Sequence, residues 1–367
     1  MSERDLSFSR QLKDYGRYPA LVSRERTLTY IEYHRAVNSV LAGFSRQGVR
    51  AGHRVGLIAD NSLEYVLSLM ALVHIGAVAC PISPRFPART LLDILSDLEC
   101  TSVVIDSDWA ADTGAVRKLA MTGPDTELAQ TDAPAPLDFD RPATIVLTSG
   151  TSARPKGVLL TYGNHYFNAR GSNDNIPLSP GDRWLLSLPL YHVGGLGILF
   201  RCLLSGAAVV IPGKNEALID SILAHNITHL SAVPTQLRRM LGDKKAADVF
   251  TRPRAVLVGG GPVPFALVQQ ALEMGFNLHT SYGCTEMASQ VTTTAPGDPA
   301  EKLRTSGRPL KYGEIRIAGD GEICVRGRTR FRGYVGRDID ADPFDDAGWF
   351  GTGDVGSFDH DGYLTVF

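Results

Sequence analysis

The chain has 367 residues, of which 44% are hydrophobic and 21% charged, a balance typical of a globular protein with a large core and not of a disordered chain. With 37 basic and 39 acidic residues the net charge is −2, which gives no electrostatic case for binding nucleic acid or an anionic membrane. The five cysteines are scattered without a C-x-x-C pair, which argues for reduced thiols and against a disulfide framework or a zinc site.

Two further features favour a cytoplasmic location. Residues 1–5 are charged and are not followed by the apolar core of a secretory signal. The most apolar run, 66–82, contains His74 and Pro81 and is too short to span a membrane. We therefore expect an intracellular chain without a membrane span. The sequence does not determine the oligomeric state, and a homo-oligomer is one possibility.

The first part of the chain alternates between strand patterns and helix patterns. Such alternation predicts helices packed on a mainly parallel sheet. The predicted strands are 54–58, 78–82 and 101–105, and the predicted helices are 30–47, 63–75 and 89–98. Residues 121–142 lose this periodicity and gain Pro, Asp and Thr, which indicates a connecting loop.

A second series of the same kind begins with a buried strand at 144–147. Further strands are predicted at 184–188, 208–211, 255–258 and 278–281, with helices at 194–204, 216–224, 235–241 and 264–274. After residue 302 the pattern changes to short alternating strands at 314–317 and 322–326, typical of an antiparallel unit or small barrel.

We thus predict an α/β fold of two layered αβ subdomains with mainly parallel sheets, followed by a small C-terminal β-barrel-like subdomain. The expected boundaries are 1–130, 131–300 and 301–367. The middle subdomain contains the loop described next.

The strand at 144–147 runs into a loop, 148–157, with the sequence Thr-Ser-Gly-Thr-Ser-Ala-Arg-Pro-Lys-Gly. Backbone N–H groups and hydroxyls can converge on phosphate oxygens there, and Lys156 adds a positive charge. The spacing differs from the loop in which Gly-Lys is followed by Ser or Thr, because Pro155 precedes the lysine and a glycine follows it. The alternative is a polar surface loop, since Ser, Thr and Gly are common in loops.

Five further stretches carry residue types that suit a ligand site. They are 187–195, 259–261, 282–286, 333–334 and 349–354. Three of them follow predicted strands, and the carboxyl ends of parallel strands are where open α/β sheets bind ligands. The three glycines allow a flat ligand to approach the backbone. The sequence Tyr-Gly-Cys-Thr-Glu brings together an aromatic ring, a hydroxyl and a carboxylate.

Each polar residue in these stretches also has an ordinary structural interpretation. His192 can be a buried histidine bonded to backbone. Glu286 can be a carboxylate at a helix N-terminus, Tyr282 can be a core residue, and Asp354 can be a turn residue. Their joint occurrence favours one common site over these separate interpretations.

As an ordered set, the loop 148–157, Tyr191-His192, the stretch 282–286 and the stretch 352–354 resemble the adenylate-forming superfamily. That superfamily includes acyl- and aryl-CoA synthetases, firefly luciferase and peptide-synthetase adenylation domains. The similarity runs from residue 28 to the end of the chain. The resemblance implies an enzyme that uses ATP and Mg²⁺ to convert a carboxylic acid into an acyl adenylate, with release of pyrophosphate, before transfer to CoA.

The resemblance also implies which residues bind the nucleotide. The β- and γ-phosphates would be held by Thr148, Ser149, Gly150, Thr151 and Lys156. Adenine and ribose would be held by Gly259, Gly260, Gly261, Tyr282 and Asp354.

The catalytic and metal-binding roles implied by the resemblance fall on four residues. Thr285 would contact the α-phosphate, and His192 would line the acyl pocket near the reacting carboxylate. Thr151 and Glu286 would hold Mg²⁺, a cation that prefers oxygen ligands. Glu286 therefore counts among both the catalytic and the metal-binding candidates.

Within the superfamily, the sequence looks most like the o-succinylbenzoate–CoA ligases of menaquinone biosynthesis. The matching segments are 187–193, residue 201, 233–237 and 285–289. That acid carries a second, aromatic carboxylate, which needs a cation or several donors in an otherwise apolar pocket. Arg201 is the candidate cation, and Ser289 and Gln290 are candidate hydrogen-bonding residues. The alternative for Arg201 is a surface arginine whose side chain extends from the helix to solvent.

Other functions stay open on the sequence alone. They are a ligase for another aryl or fatty acid, a carrier-loading adenylation domain, and a nucleotide-binding fragment without turnover. The resemblance implies that the chain stops before a hinge and a small C-terminal lid domain. We therefore expect a large domain that binds ATP and acid but forms adenylate slowly and thioester hardly at all.

The loop departs from the family at residues 152–153, where Ser-Ala replaces the usual Thr-Gly. A methyl group at Ala153 would penalise positive φ and crowd a phosphate oxygen, so either the loop follows a slightly different path here or nucleotide binding is weakened. We predict that Ala153→Gly lowers the KM for ATP by roughly threefold, within the range of glycine effects on backbone strain. Pyrophosphate release at varied ATP measures this change, and unchanged or weaker nucleotide binding in the variant would contradict it.

Overall fold

The computed structural model describes residues 8–105, 113, 116–120, 138–148, 155–245, 249, 253–337 and 342–367. The helices in these ranges are α1 (Phe8–Tyr15), α2 (Tyr30–Arg46), α3 (Leu63–Ile75), α4 (Ala88–Asp97), α5 (Tyr162–Asn175), α6 (Val193–Ser205), α7 (Leu218–His225), α8 (Pro234–Leu241) and α9 (Phe265–Glu273).

The strands alternate with these helices and then continue without them. They are β1 (Pro19–Val22), β2 (Thr27–Thr29), β3 (Arg54–Ile58), β4 (Val78–Ile82), β5 (Ser102–Ile105), β6 (Arg117–Leu119), β7 (Pro142–Thr148), β8 (Lys156–Thr161), β9 (Arg183–Leu185), β10 (Ala208–Val210), β11 (His229–Ala232), β12 (Ala255–Val258), β13 (Leu278–Cys284), β14 (Ser289–Thr293), β15 (Arg308–Pro309), β16 (Gly313–Ile317), β17 (Glu322–Gly327), β18 (Gly333–Val335), β19 (Phe350–Phe358) and β20 (Leu364–Val366). Short 3₁₀ turns cover Thr285–Met287 and Ala300–Arg304.

Local sequence explains where the first long helices begin and end. Thr29 caps α2, with Glu32 completing a capping box. Ser62 caps α3 by accepting the N–H of Tyr65, and Gly76 ends α3 in the left-handed conformation with φ of 85°. These caps fix the residues at which both helices begin and the residue at which α3 ends.

The nine-stranded sheet has the order β15-β14-β13-β12-β11-β9-β10-β1-β2. The strands from β13 to β1 in this order pair in parallel. Antiparallel strands β14, β15 and β2 extend its two edges. Strands β11 and β12 are buried along their whole length, as expected for central strands covered on both faces.

The seven-stranded sheet has the order β18-β8-β7-β4-β3-β5-β6. Strands β7, β4, β3, β5 and β6 pair in parallel, whereas β8 and β18 are antiparallel. Strand β4 is buried at every position. The β7–β8 hairpin places the ends of the candidate phosphate loop at one margin of this sheet.

The four-stranded antiparallel sheet β16-β17-β19-β20 follows in the chain. Side chains tie it to the 3₁₀ turn that precedes β15. Lys302 Nζ lies 2.8 Å from a carboxylate oxygen of Asp359 and 2.6 Å from one of Asp361. The hydroxyl of Tyr363 donates to Asp298 at 2.7 Å. These bonds fix the position of β19 and β20 against the nine-stranded sheet.

A buried tyrosine joins α2 to the end of α6, and both helices contact strands of the nine-stranded sheet. The hydroxyl of Tyr30 lies 2.9 Å from the carbonyl oxygen of Cys202 and 2.8 Å from that of Ala207. Burial raises the pKa of Tyr30 well above its ordinary value, so the hydroxyl stays a donor. The two helices therefore share a polar contact within the main core.

The predicted α/β class, with mainly parallel sheets and a terminal β unit, is confirmed. Sheet membership nevertheless crosses the predicted boundaries at residues 130 and 300. Strands β1 and β2 belong to the nine-stranded sheet, whereas β7, β8 and β18 belong to the seven-stranded sheet. Strand pairing over long sequence separations is not encoded in a local pattern, which explains the difference. The boundaries 1–130, 131–300 and 301–367 stay a prediction.

Some strands differ from their predictions in presence or in length. Strand β11 was not predicted, because His229 and Ser231 interrupt its apolar pattern. The strand predicted at 184–188 ends at Leu185, and the segment after it is irregular. The predicted loop at 121–142 lies outside the described residues except for 138–142. Across the described ranges, every helix is too short or too polar to cross a bilayer.

We predict that Tyr30→Phe lowers the free energy of unfolding by about 1–2 kcal/mol, because it removes a buried donor to two carbonyl groups. Urea unfolding monitored by circular dichroism measures the change. Tyr18→Phe serves as the matched control, since Tyr18 is 44% exposed and should change stability by less than about 0.5 kcal/mol. Equal losses in the two variants would contradict the role of Tyr30.

Candidate active site

The segment 282–290, which links β13 to β14, is the centre of the candidate site. Strand β13 pairs in parallel with β12 only as far as Thr280. It then continues beyond the sheet as a hairpin with β14, turning through the 3₁₀ turn Thr285–Met287. The turn therefore projects from the carboxyl end of the parallel strands, where such sheets bind ligands.

Three glycines follow β12 and leave an open strip of backbone. Gly259 donates its N–H to the carbonyl of Ala232 at 3.3 Å, and a Cβ on Gly259 would lie 3.1 Å from the carbonyl oxygen of Ser281. Gly260 has φ of +77°, a conformation that favours glycine. A Cβ on Gly261 would meet no atom of the described residues within 4 Å. The space beside Gly261 is therefore open, and the predicted approach of a flat ligand to these glycines stays a prediction.

Tyr282 and Asp354 form a hydrogen bond between two sheets. The hydroxyl of Tyr282, on β13, donates to Oδ2 of Asp354, on β19, at 2.7 Å. Burial raises the pKa of Tyr282, so this hydroxyl remains protonated. Thr352 Oγ1 accepts the N–H of Asp354 at 3.2 Å. Asp354 is exposed, so its carboxylate stays accessible to further donors.

Tyr334 brings the seven-stranded sheet to Glu286. Its hydroxyl donates to Oε1 of Glu286 at 2.8 Å, and burial together with that carboxylate raises the pKa of Tyr334. Strand β18 places Tyr334 opposite Val158 of β8. Nζ of Lys156, at the start of β8, lies 5.2 Å from the centroid of the Tyr334 ring. One aromatic residue thus contacts both the candidate metal-binding carboxylate and the lysine of the phosphate loop.

The ends of the phosphate loop pair as strands. Thr148 at the end of β7 lies opposite Lys156 at the start of β8. Ser149, Gly150 and Thr151 lie outside the described residues, as does Ala153. Their predicted contacts to phosphate and Mg²⁺ therefore stay predictions. The structure brings both described ends of the loop towards the β18 side of the site.

Thr285 lies in the 3₁₀ turn beside Glu286 and is half-buried. Its carbonyl accepts the N–H of Ala288 at 3.0 Å, which closes the turn. Glu286 is tied through its backbone to the segment that leads into β18 as well, because its carbonyl accepts the N–H of Phe331 at 2.7 Å. The hydroxyl of Thr285 and the carboxylate of Glu286 therefore occupy a turn that is fixed at both ends.

His192 immediately precedes α6 and is exposed, so the interpretation of it as a buried structural histidine is wrong. Its ring lies edge-on to Tyr191 with centroids 4.8 Å apart. Although the residue as a whole is exposed, its ring is partly shielded from water. This shielding, and secondarily Arg85, lower the pKa of His192, which keeps the imidazole neutral at neutral pH. The carbonyl of His192 accepts the N–H of Gly195 at 3.0 Å, which fixes the start of the helix.

Asn61, which sequence reasoning missed, fixes the segment that leads to His192. Its Nδ2 donates to the carbonyl of Leu188 at 2.9 Å, and its Oδ1 accepts the N–H of Leu190 at 2.9 Å. Gln236 Nε2 donates to the backbone of the same segment at 3.0 Å. A polar residue just beyond the carboxyl end of β3 was the available signal.

Arg201 is buried on α6 and is 1% exposed, so the surface-arginine alternative is wrong. Its Nη2 lies 3.5 Å from Oγ of Ser289, and its Cζ lies 5.2 Å from the ring centroid of Trp184. Nε has no hydrogen-bond partner in the described part of the chain. Burial lowers the pKa of Arg201 to about 10, so the guanidinium remains charged at neutral pH. It pairs with no carboxylate among the described residues.

Ser289 and Gln290 begin β14 and are buried. Nε2 of Gln290 donates to Oγ1 of Thr293 at 2.6 Å. Its Oε1 has no partner among the residues that the structure describes. The structure therefore places Ser289 beside Arg201 and Gln290 next in the same strand, and their predicted contacts to the acid stay predictions.

The structure also bears on the ordinary interpretations of Tyr282, Asp354 and Glu286. Tyr282 is half-buried and bonded to Asp354, rather than a core residue. Asp354 lies within β19 and not in a turn. Glu286 does stand at the first turn of a 3₁₀ helix, but its carboxylate accepts a hydrogen bond from Tyr334. Tyr334 itself was noticed in the sequence without a role, because its partner is 48 residues away.

A cleft of about 1010 Å³ lies near the segment that leads to His192. Asn61, Arg85, Tyr191 and Gln236 line it, together with acidic and basic side chains in comparable numbers. Its lining does not include the glycines after β12, Tyr282 or Asp354. The nucleotide-side candidates therefore stand apart from this cleft.

The site geometry agrees with the comparisons to known proteins. The sequence pattern of the family described as AMP-binding enzyme matches residues 8–335. The chain belongs to the AMP-binding enzyme family. It is 33% identical over 360 residues to the 2-succinylbenzoate–CoA ligase of Bacillus cereus, covering 95% of this chain and 74% of that relative.

Solved structures of this family extend the comparison to the fold. The o-succinylbenzoate CoA synthetase of Bacillus subtilis in complex with the acyl-adenylate intermediate OSB-AMP superposes with a TM-score of 0.88, at 30% identity and covering 98% of each chain. The same synthetase in complex with ATP and magnesium ion gives a TM-score of 0.87 at 30% identity, covering 98% of this chain and 78% of that one. As an AMP-binding enzyme, the chain is an AMP-forming ligase by family.

We predict that Tyr334→Phe weakens binding of ATP in the presence of Mg²⁺ by about tenfold, because Glu286 loses the donor that orients it. Binding of AMP without Mg²⁺ should change by less than about twofold. Isothermal titration calorimetry measures both affinities.

The matched control is Tyr363→Phe, which removes another tyrosine–carboxylate hydrogen bond, to Asp298, outside the site. It should leave both affinities unchanged. An equal loss for ATP and AMP in Tyr334→Phe would contradict the assignment of Glu286 to the metal.

Proposed function

We propose that this chain activates o-succinylbenzoate with ATP and Mg²⁺ to an acyl adenylate, the intermediate from which the acyl group passes to CoA. The observation that carries this proposal is the buried guanidinium of Arg201, which lacks a carboxylate partner among the described residues. The names of the relatives support it, since they are 2-succinylbenzoate–CoA ligases and o-succinylbenzoate CoA synthetases.

The acid has two carboxylates with different fates. The succinyl carboxylate reacts, and the ring carboxylate needs a positive partner when it leaves water. Arg201 supplies that charge, and the hydroxyl of Ser289 supplies a donor beside it. A buried unpaired cation is destabilising, and an incoming carboxylate removes much of that penalty. An acid without a second carboxylate would leave the cation unpaired, so Arg201 and Ser289 favour dicarboxylates.

The described residues fit a nucleotide at the other end of the site. The glycines 259–261 and the ring of Tyr282 provide two surfaces for a flat base. Asp354 already accepts the hydroxyl of Tyr282 and, as a carboxylate, has further lone pairs for ribose hydroxyls. The bond to Tyr282 keeps this acceptor in place before the nucleotide arrives.

The metal site is proposed from the chemistry of its donors. One oxygen of Glu286 is held by Tyr334, and a carboxylate oxygen is the ligand type that Mg²⁺ prefers. Thr151, outside the described residues, would add a hydroxyl oxygen. When bound, Mg²⁺ neutralises charge on the phosphates. Lys156 adds a second positive charge from the margin of the seven-stranded sheet.

The chain's residues then act mainly by positioning the two reactants. An oxygen of the succinyl carboxylate attacks the α-phosphorus, the bond to the pyrophosphate oxygen breaks, and pyrophosphate leaves. Thr285 donates to the α-phosphate, and the neutral ring of His192 lines the pocket of the reacting carboxylate. In the second step the CoA thiol attacks the acyl carbonyl, AMP leaves with the bonding electrons, and the thiol proton is released.

We also propose a cytoplasmic location. All five cysteines are free, which suits a reducing compartment. A pathway role in menaquinone biosynthesis follows from the proposed substrate. A measurement of the molecular mass in solution would show whether the chain forms a homo-oligomer.

We predict that Arg201→Met raises the KM for o-succinylbenzoate by about 100-fold, the scale of losing one partner of a buried charged pair. Arg201→Lys keeps the charge but loses the forked geometry, so an intermediate effect is expected. Acid-dependent pyrophosphate release measures both variants. Unchanged turnover of o-succinylbenzoate in Arg201→Met would overturn the assignment. Faster pyrophosphate release with another aryl or fatty acid would identify that acid as the substrate instead.

A further inference from the structure

Two consecutive residues next to Arg201 in the proposed acyl pocket have unfavourable backbone conformations. Ala288 has φ of 60° and Ser289 has φ of 143°. Both values lie in the region that favours glycine, and residues with side chains persist there only when their surroundings hold them. Ser289 is also the residue whose Oγ lies 3.5 Å from Nη2 of Arg201. The strain is therefore located at the contact on which recognition of the second carboxylate depends.

A single amide side chain forms hydrogen bonds on both sides of these two residues. Asn168, on α5, donates from Nδ2 to the carbonyl of Met287 at 3.0 Å and to the carbonyl of Gln290 at 2.7 Å. These carbonyls flank Ala288 and Ser289 on either side. Asn168 is 3% exposed, so both hydrogen bonds are shielded from water. The –NH₂ group has two protons and uses one for each carbonyl.

Two glycines near Ala288 and Ser289 provide the space that this arrangement needs. A Cβ on Gly283, across the hairpin, would overlap the carbonyl of Ser289. A Cβ on Gly197, on α6, would lie 2.9 Å from Nη2 of Arg201 and 3.4 Å from Oγ of Ser289. Gly283 therefore leaves room for the backbone of Ser289, and Gly197 leaves room for the guanidinium of Arg201 and the hydroxyl of Ser289.

We propose that Asn168 is a positioning residue for substrate selection. Its amide holds 288–289 in their strained conformation, which aims the Ser289 hydroxyl at Arg201 and so fixes the guanidinium that pairs with the second carboxylate of the acid. Asn168 itself does not contact the substrate. This inference rests on the proposed function, because it assigns a support to the same carboxylate-binding wall.

The side-chain chemistry separates Asn168 from its nearest substitutes. Aspartate has the same shape, but it has no donor and would set a negative charge against two carbonyl oxygens. Alanine removes both donors and leaves two buried carbonyls without them. In either variant the strained turn can relax, and Ser289 moves away from Arg201. The loss should then fall on acids with a second carboxylate.

The test measures the binding of two probes to this chain by calorimetry. One probe is a non-hydrolysable acyl-adenylate analogue that carries o-succinylbenzoate. The other is the same analogue without the ring carboxylate, carrying 3-benzoylpropionate. For Asn168→Ala and Asn168→Asp we expect affinity for the dicarboxylate probe to fall about tenfold and affinity for the other probe to fall less than about twofold. Equal losses for both probes would show a merely structural role and overturn the inference.

A double-variant comparison separates this inference from the function on which it rests. In an Arg201→Met background, Asn168→Ala should no longer reduce the preference for the dicarboxylate probe, because the two residues act as one unit. If Arg201→Met alone leaves that preference intact, the proposed function fails. If Arg201→Met abolishes the preference and the Asn168 variants retain it, the positioning role alone fails.

A second substitution keeps the test decisive if Asn168→Ala does not fold. Ala288→Gly removes the side-chain penalty of the strained turn. The double variant Asn168→Ala, Ala288→Gly should recover thermal stability but not the preference for the dicarboxylate probe. Recovery of both would mean that the amide only stabilises the fold, and the inference would be wrong.

Discussion

The site depends on one hairpin, the turn between β13 and β14, because three parts of the molecule bond to it. Tyr282 reaches Asp354 in the four-stranded sheet, Glu286 accepts from Tyr334 at the margin of the seven-stranded sheet, and Ser289 lies beside Arg201 of α6. Since the hairpin extends past the end of its parallel partner β12, its side chains are free to reach all three. The candidate residues are otherwise far apart in the sequence, and this turn is what brings them to one place.

The two ends of the hairpin differ in their energetics. The nucleotide end uses exposed or half-buried groups, where a carboxylate such as Asp354 keeps its hydration until a ligand arrives. The acyl end combines a buried cation at Arg201 with a strained backbone at Ala288 and Ser289. Both features destabilise the unliganded protein, so both are expected where a ligand relieves or exploits them. Functional constraint rather than stability explains their presence together.

Sequence reasoning recovered the parallel αβ series because helix and strand periodicities are local. It also singled out the glycines after β12 and the Tyr282–Glu286 stretch, since ligand sites follow parallel strands, and it singled out Asp354 from the resemblance alone. It could not assign β1 and β2 to the distant sheet or β18 to the edge beside β8, because pairing partners leave no local mark. The contact of Tyr334 with Glu286 was hidden for the same reason.

Arg201 and Asn168 show two different limits of reading a sequence. The burial of Arg201 had a signal, because α6 is apolar on all sides and such a helix lies inside a protein. The burial of Asn168 had no such signal, because α5 is rich in Asn, His, Ser and Gly and yet most of its residues are buried. A polar helix in the interior must satisfy its side chains through backbone elsewhere. The amide of Asn168 does so at a turn with two strained residues, Ala288 and Ser289, so the same side chain serves the fold and, in our proposal, substrate selection.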